Sequence, residues 1–270
     1  MKKIKVGIIG CGTIGSELAR ACLNGLRDGI ELVGICDLDE KKAGSLKSSL
    51  KNDVPVLGME RLIKKSDLVV EAASASVSAD VLKNAIKNKK DIMMMSIGGI
   101  IGNEALLQDA DKAGIKVYLP SGAVCGIDGL KSGGAGRIDS VTLTTRKPPK
   151  ALDGAPYLKE KNIRLADING ETVIFDGSAK EAIKGFPQNV NVCAALSLAG
   201  IGADRTRVKI VTSPEYTKNT HDVEIAGDFG KIFTRTENVP SSSNPKTSRL
   251  AILSAIATLG GAVRNVRVGT

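Results

Sequence analysis

A glycine-rich hexapeptide near the start of the chain limits the possible folds more than any other feature. Residues 10–15 read GCGTIG, and they stand between an apolar run, Ile4 to Ile9, and a helix-like pattern that begins at Ile14. In such a unit the first glycine makes a tight turn, the second lets the backbone approach a pyrophosphate, and the third allows close helix packing. The N–H groups at the helix start also favour an anion. The hexapeptide therefore predicts a dinucleotide-binding βαβ unit, with a plain tight turn as the alternative.

The residues expected to contact the cofactor in this loop are Gly10, Gly12, Thr13, Ile14 and Gly15. An acidic residue extends the motif. Asp37 follows the second predicted strand, Ile30 to Cys36, where its carboxylate can accept a hydrogen bond from a ribose 2′-hydroxyl. A 2′-phosphate would meet the negative charge of Asp37, so the pattern favours NAD over NADP. The nearby Lys41 and Lys42 leave the use of both cofactors open.

The rest of the first third alternates short apolar runs with helix-like periodicity, which is typical of parallel βαβ units. Further strands are predicted at Leu68 to Val70, Ile92 to Met95 and Lys116 to Leu119. This order predicts a doubly wound parallel sheet of the Rossmann type. Loops after parallel strands meet at the carboxyl edge of the sheet, so Ala73, Ser74 and Ser96 are candidate cofactor contacts. Helix caps and turns are the alternative interpretation of these serines.

The pattern changes near Ser121, where six glycines crowd into residues 122–136. Beyond this point strands are predicted at Ser140 to Arg146, Thr172 to Phe175, Arg207 to Thr212, Val223 to Ile225 and Lys231 to Glu237. Two helices, Ala179 to Lys184 and Val192 to Leu198, separate them. That succession predicts a second, α+β domain with a mostly antiparallel sheet. One more helical pattern, Lys246 to Leu259, is not needed by that domain.

The composition argues against several classes of protein. With 42% hydrophobic and 25% charged residues the chain is typical of globular proteins, and no stretch approaches the roughly 20 apolar residues that span a bilayer. The net charge is +9, but the chain has no Trp, three Tyr and four Phe, too few for a base-stacking surface. Five cysteines without metal-ligand spacing favour reduced thiols. We expect a cytoplasmic protein with a small-molecule substrate and without metal, membrane or nucleic acid.

The chain contains one histidine, His221. Histidine is well suited to moving protons near neutral pH, and an enzyme that removes a hydride needs an acceptor for the accompanying proton. His221 is therefore the candidate catalytic residue. A lysine or tyrosine could serve instead, and a surface or structural histidine is the alternative interpretation.

Two polar runs in the second half could bind a substrate. Asn189 stands in FPQNVNV at 186–192, and Lys246 and Thr247 stand in NPKTS at 244–248. Amides can hydrogen-bond a carboxylate or carbonyl, and a lysine can pair with a carboxylate. A helix cap and a solvated lysine are the alternatives.

Five segments together resemble the L-aspartate dehydrogenase family along nearly the whole chain. They are residues 10–15, SGAVCGID at 121–128, FPQNVNV at 186–192, NTH at 219–221 and NPKTS at 244–248. Many dehydrogenases share the first segment, but the third and fifth together are specific. The resemblance implies NAD(P)-dependent oxidation of L-aspartate to iminoaspartate, which hydrolyses to oxaloacetate and ammonia or feeds quinolinate and NAD synthesis. It also implies a homodimer, and it leaves open a hand-off of the imine to a quinolinate synthase.

By the same resemblance, His221 stands where the family has its catalytic histidine, and Asn189 where it has a substrate-side amide. The residues expected to face the substrate are Ser121, Ala123, Asn189, His221, Lys246 and Thr247. Ala123 and Asn189 are also expected to contact the cofactor.

The resemblance further implies that the C-terminal helix returns to the Rossmann domain. We therefore assign residues 1–121 and 245–270 to the dinucleotide-binding domain, and residues 122–244 to a domain for substrate binding and dimerisation. The alternatives are a reductase related to homoserine dehydrogenase or dihydrodipicolinate reductase, and, more remotely, a non-catalytic dinucleotide sensor.

Overall fold

The computed structural model describes residues 2–187, 190–244, 247–266 and 268–270, and it divides into two compact units. Unit 1 comprises Met1–Pro120 and Ile252–Arg267, and unit 2 comprises Ser121–Ala251 and Val268–Thr270. Each unit contains one five-stranded sheet. Within the described ranges, no helix has both the length and the apolar character needed to cross a membrane.

Unit 1 is built on a parallel sheet, which confirms the predicted fold class. Its strands are β1 (Ile4–Ile9), β2 (Ile30–Cys36), β3 (Leu68–Glu71), β4 (Asp91–Met94) and β5 (Val117–Tyr118), in the order β2-β1-β3-β4-β5. The helices are α1 (Thr13–Leu23), α2 (Glu40–Ser49), α3 (Met59–Lys65), α4 (Ala75–Lys87) and α5 (Ala105–Lys112), with a short 3-10 helix at Ile97–Ile100. Side chains alternate along β1. Val6 and Ile8 join a core with α1 and α2, whereas Gly7 leaves room for Leu62 of α3.

A single bridge stands where a Rossmann sheet has its third strand. Ile35 of β2 pairs in parallel with Val56, with hydrogen bonds from Ile35 N to Pro55 O and from Leu57 N to Ile35 O. With this bridge counted, the sheet has the Rossmann order 3-2-1-4-5-6. The sequence pattern did not predict this bridge or α3, because both segments are short and interrupted by polar residues.

Unit 2 carries the second predicted domain type, an α+β fold. Its strands are β6 (Ile138–Lys147), β7 (Thr172–Ser178), β8 (Arg207–Thr212), β9 (Asn219–Gly227) and β10 (Gly230–Asn238), in the order β10-β9-β6-β8-β7. All pairings are antiparallel except β6 with β8, so the prediction of a mostly antiparallel sheet is confirmed. The helices are α6 (Ile127–Gly133), α7 (Pro156–Glu160), α8 (Ala179–Gly185) and α9 (Asn191–Ala199), with 3-10 helices at Pro149–Ala151 and Leu165–Asp167.

The last helix, α10, runs over Arg249–Ala262 and thus begins three residues after the predicted start. Ala255 and Leu259 are fully buried and pack in the core of unit 1 with Val6 and Ile8. The helix therefore supplies part of the hydrophobic stabilisation of the parallel sheet.

Candidate active site

Two of the three glycines in the loop of unit 1 cannot be replaced by a larger residue without a steric clash, and the clash differs between them. Gly10 has φ 102°, a conformation that side chains avoid, and an added Cβ would collide with the backbone of Ala72 and Ala73. A Cβ on Gly15 would collide with the carbonyl of Gly10. These two glycines therefore hold the loop, the β3–α4 connection and α1 in close contact.

Gly12 is different, because the protein itself does not require a glycine there. Its backbone has an ordinary extended conformation, and an added Cβ would meet no described heavy atom within 4 Å beyond its chain neighbours. Open space beside a backbone at the start of a helix fits a pyrophosphate. The first intrahelical bond of α1 runs from Ser16 N to Gly12 O at 2.9 Å, so the N–H groups of Thr13 and Ile14 lie at the position that a helix offers to an anion.

Asp37 is tied to this loop through its carboxylate. Oδ2 accepts a hydrogen bond of 2.7 Å from Cys11 N, and Oδ1 accepts one of 2.9 Å from Asp39 N. A carboxylate has about four acceptor positions, so the predicted contact with a ribose hydroxyl can form beside these two bonds. The bonds fix the carboxylate at the end of β2 against the glycine loop.

Glu71, at the end of β3, connects the other predicted cofactor contacts. It is fully buried; Oε1 accepts from Ala73 N at 2.8 Å and from Ser96 Oγ at 2.8 Å, and Oε2 accepts from Ser96 N at 3.0 Å. Burial raises the pKa of Glu71, while the hydrogen bonds from Ser96 and Ala73 act in the opposite direction. Ala73 and the buried Ser96 thus lie side by side at the carboxyl edge of the sheet. Ser74 is exposed at the N-cap of α4, and its side chain bonds the hydroxyl group of Ser76 and makes no capping bond to the helix backbone.

A basic groove adjoins the glycine loop in unit 1. It is lined by Cys11, Ser16, Arg20, Lys41, Lys42, Ser45, Leu46 and Ser49. The three cations and three hydroxyl groups are donors suited to an anionic group. Lys42 Nζ lies 3.9 Å from Asp39 Oδ2, a weak surface contact.

In unit 2, His221 lies on β9 and is only 5% exposed. Its Nδ1 shares a hydrogen bond of 3.0 Å with Thr145 Oγ1 of β6. On the other side, Thr236 of β10 is in register with His221, and its buried Oγ1 has no hydrogen-bond partner among the described residues. Cross-strand neighbours share a face of a sheet. Thr145, His221 and Thr236 therefore form one polar row across three strands.

A buried cation belongs to the same face. Lys147 lies two residues after Thr145 on β6 and is 8% exposed, and burial lowers its pKa to about 8. Burial, and then the charge of Lys147, lower the pKa of His221 to about 3, whereas Asp222 acts in the opposite direction. The imidazole of His221 is consequently neutral at neutral pH, and the neutral form is the one that accepts a proton.

Asp222 follows His221 on β9 and points to the opposite face of the sheet. It is buried and bonds Arg146 of β6 at 2.5 Å and Arg235 of β10 at 2.7 Å. Its pKa is lowered mainly by the hydrogen bond from Arg235. The pair of arginines therefore holds β9 to both of its neighbours at the level of His221.

Among the remaining predicted substrate contacts of unit 2, Ala123 is hydrogen-bonded to Asn238, the last residue of β10. Asn238 Nδ2 donates to the carbonyl of Ala123 at 3.1 Å, and Asn238 Oδ1 accepts from Ser248 Oγ at 2.5 Å. Ser121 is half-buried, as is Thr247, whose carbonyl accepts from Ser241 N. Asn238 thus joins the loop around Ala123 to the segment that contains Thr247.

Two predicted residues, Asn189 and Lys246, lie outside the described residues. Phe186, three residues before Asn189 in the sequence, packs its ring on Tyr157 and Phe175 at centroid distances of 5.3 and 5.6 Å. Helix α9 begins at Asn191 with Val190 at its N-cap.

Comparison with known proteins decides the family. Residues 128–262 match the family model "Aspartate dehydrogenase, C-terminal", and residues 10–120 match "Homoserine dehydrogenase, NAD binding domain". The L-aspartate dehydrogenase of Methanococcoides burtonii is 48% identical over 99% of this chain and 100% of that protein, and the one of Nitrosopumilus maritimus is 43% identical over 94% and 95%. The chain belongs to the L-aspartate dehydrogenase family.

Solved structures agree with this assignment. The aspartate dehydrogenase of Thermotoga maritima superposes with a TM-score of 0.78 at 26% identity, over 99% of this chain and 100% of that one. A homoserine dehydrogenase from Thiobacillus denitrificans reaches 0.64 at 15% identity, which shows a shared fold alone. The homoserine dehydrogenase family model covers only the N-terminal part, whereas the C-terminal half matches the L-aspartate dehydrogenase family.

Within this L-aspartate dehydrogenase family member, sequence reasoning missed three residues that organise the site. Glu71 and Lys147 are ionisable residues in strands and are ordinarily expected at the surface. Asn238 is the last residue of an alternating strand and belongs to no motif. One signal was available for Glu71: a carboxylate placed directly after three apolar strand residues, at the carboxyl edge of a parallel sheet.

Proposed function

We propose that the chain oxidises L-aspartate to iminoaspartate with NAD or NADP, and that the imine is hydrolysed to oxaloacetate and ammonia. The observation that carries this proposal is the neutral, buried His221 beside Thr145 and Lys147, in a chain 48% identical to an L-aspartate dehydrogenase. In the proposal, unit 1 binds the dinucleotide and unit 2 binds the substrate.

The open space at Gly12 and the N–H groups of Thr13 and Ile14 fit the pyrophosphate, and Asp37 fits a ribose hydroxyl. Ala73, Ser74 and Ser96 complete this set of cofactor contacts. When bound, the nicotinamide ring supplies the acceptor for the hydride that leaves Cα of aspartate. Asp37 favours NAD, and the basic groove with Lys41 and Lys42 allows NADP as well.

His221 acts on the substrate amine in this proposal. The amino nitrogen must lose its proton before it can form the C=N bond, and the neutral imidazole accepts that proton directly or through one water. Thr145 fixes the ring through Nδ1. Ser121, Ala123, Asn189, Lys246 and Thr247 are the proposed contacts of the substrate carboxylates.

The L-aspartate dehydrogenase assignment also carries three proposals about context. We propose that the protein is a homodimer, that it works in the cytoplasm, and that its imine product supports quinolinate and NAD synthesis.

The test is absorbance at the reduced-nicotinamide band with L-aspartate and NAD or NADP at alkaline pH, beside glutamate, alanine, homoserine and malate. Selective reduction with aspartate is expected. His221→Ala should lower kcat by roughly 10²- to 10⁴-fold, the usual loss when a general base is removed. Reduction with homoserine instead, or cofactor binding without turnover of any substrate, would contradict the proposal.

A further inference from the structure

Glu71 is a buried ionisable residue that the proposed reaction does not use as an acid or a base. It is fully buried at the carboxyl end of β3, the central strand of the parallel sheet. Burying a carboxylate costs free energy unless hydrogen bonds compensate it. Buried ionisable groups concentrate at functional sites, so the hydrogen-bond partners of Glu71 indicate what it does.

The hydrogen bonds of Glu71 come from two different loops. Oε1 accepts from Ala73 N in the loop between β3 and α4, and Ser96, in the loop after β4, donates through its N–H and its hydroxyl group. The three distances lie between 2.8 and 3.0 Å. An ionised carboxylate accepts at both oxygens, whereas a carboxamide of the same shape has a donor at one of the two positions. Glu71 therefore joins the two loops in a way that glutamine cannot reproduce.

The glycine loop has hydrogen bonds of its own, and they run to β2 and to the residue after it. Gly10 N donates to Cys36 O at 2.7 Å, and Cys11 N donates to Asp37 Oδ2 at 2.7 Å. These bonds remain when the bonds of Glu71 are lost. The glycine loop and the two loops that Glu71 joins are thus held by separate sets of hydrogen bonds.

We propose that Glu71 is a positioning residue for the nicotinamide half of the dinucleotide, because it holds the loops after β3 and β4 in one arrangement. This proposal rests on the proposed function and deepens it. A Rossmann sheet consists of two mononucleotide-binding halves. The glycine loop and Asp37 belong to the half that begins at β1, whereas Glu71, Ala73 and Ser96 belong to the half that begins at β3. Glu71 acts through Ala73 and Ser96 and does not contact the cofactor itself.

The test compares NAD with ADP, which contains the adenosine and the pyrophosphate of NAD but lacks its nicotinamide nucleoside. Calorimetry on the full chain measures the Kd of each. Glu71→Gln sets a donor against the donors of Ala73 and Ser96, so NAD binding must restore loop positions that the lost bonds maintained. We expect the Kd for NAD to rise roughly ten- to hundredfold, the usual effect of losing a hydrogen bond to a charged group. The Kd for ADP should stay within about twofold, which also shows that the variant is folded.

Three further variants make the comparison specific. Ser96→Ala removes one donor, so it should raise the Kd for NAD about fivefold, leave ADP unchanged and add little to Glu71→Gln, which has already lost that bond. Asp37→Asn lies in the other half and should weaken NAD and ADP by the same factor. Glu31→Gln, at an exposed position of β2, makes the same change of charge as Glu71→Gln and should affect neither ligand.

Two results would overturn the proposal. Equal weakening of NAD and ADP in Glu71→Gln would show a general defect of unit 1, and unchanged NAD binding would show that these hydrogen bonds do not position the cofactor. If Glu71→Gln does not fold, Ser96→Ala decides by the same comparison of the two ligands. Because neither ligand needs turnover, a failure of aspartate oxidation would be seen separately.

Discussion

Thr145 Oγ1 lies 3.0 Å from Nδ1 of His221, and the two residues are opposite each other on β6 and β9. The hydrogen bond fixes the ring orientation and leaves the other ring nitrogen as the atom that can exchange a proton. Thr145→Val keeps the shape but removes the bond. We expect kcat/KM for L-aspartate to fall about fivefold, in line with the usual contribution of about 1 kcal/mol from one hydrogen bond.

Thr145→Ser should retain most of the activity, because it keeps the hydroxyl. Thr144→Val, one position earlier and on the opposite face of β6, is the control for a general effect on the strand. Equal losses in Thr144→Val and Thr145→Val would show that the bond to His221 has no special role.

The pKa of His221 has a consequence for acid stability. The ordinary pKa of 6.5 applies in the unfolded chain, and the folded value is about 3. Between these values the unfolded chain binds a proton that the folded one does not, so stability is lost as pH falls from about 6.5 towards 3. Asparagine at 221 does not titrate. Between pH 7 and pH 5, His221→Asn should therefore gain about 2 kcal/mol of unfolding free energy relative to the unmodified protein.

Urea unfolding of both proteins at the two pH values measures this difference. The carboxylates with lowered pKa, such as Asp222, are present in both proteins and cancel from the comparison. An identical pH dependence of the two proteins would mean that His221 is not desolvated in solution.

The glycine loop allows a comparison between cofactor binding and folding. Gly12→Ala should change the unfolding free energy by about 1 kcal/mol or less, because the Cβ meets open space. It should raise the KM for NAD at least tenfold if a pyrophosphate occupies that space. Gly15→Ala should instead destabilise the fold by about 1–3 kcal/mol, through the clash with the Gly10 carbonyl. Urea unfolding and cofactor titration separate the two effects, and normal NAD binding by a folded Gly12→Ala would remove the pyrophosphate assignment.

The basic groove makes a prediction about cofactor choice. The paired substitution Lys41→Ala and Lys42→Ala should raise the KM for NADP by roughly tenfold or more and leave the KM for NAD within about twofold, since only NADP carries the 2′-phosphate. Lys64→Ala with Lys65→Ala on α3 is a control of equal charge. If NAD and NADP are affected equally, the groove does not recognise the 2′-phosphate.

Much of the fold was predictable because its signals are local. The glycine loop, the apolar runs of β1 and β3 and the alternating strands of unit 2 each depend on a short window of sequence, and the predicted bounds lie within a few residues of the observed ones. The short helices α6 and α7 escaped prediction, as did the bridge at Val56. They are too short to show a period of 3.6 or of 2.

The candidate site was less predictable because its geometry is not local. His221 stood out as the only histidine in the sequence, but its burial depends on β6 and β10 and could not be read from its neighbours. Lys147 is followed by two prolines and preceded by an arginine, a setting that resembles an exposed strand end. The packing of distant residues such as Val190 and Cys193 around the same cavity makes it a buried cation.

Two consecutive residues of β9 need opposite electrostatic surroundings on the two faces of the sheet. His221 is neutral among desolvated groups, whereas the next residue, Asp222, is ionised between two guanidinium groups. If β9 shifted by one residue against β6 and β10, His221 and Asp222 would exchange faces. The carboxylate of Asp222 would then be buried without a partner, and the imidazole of His221 would lie between Arg146 and Arg235. The alternation therefore specifies the strand register: only one alignment of β6, β9 and β10 satisfies both residues, and the same alignment assembles the proton acceptor.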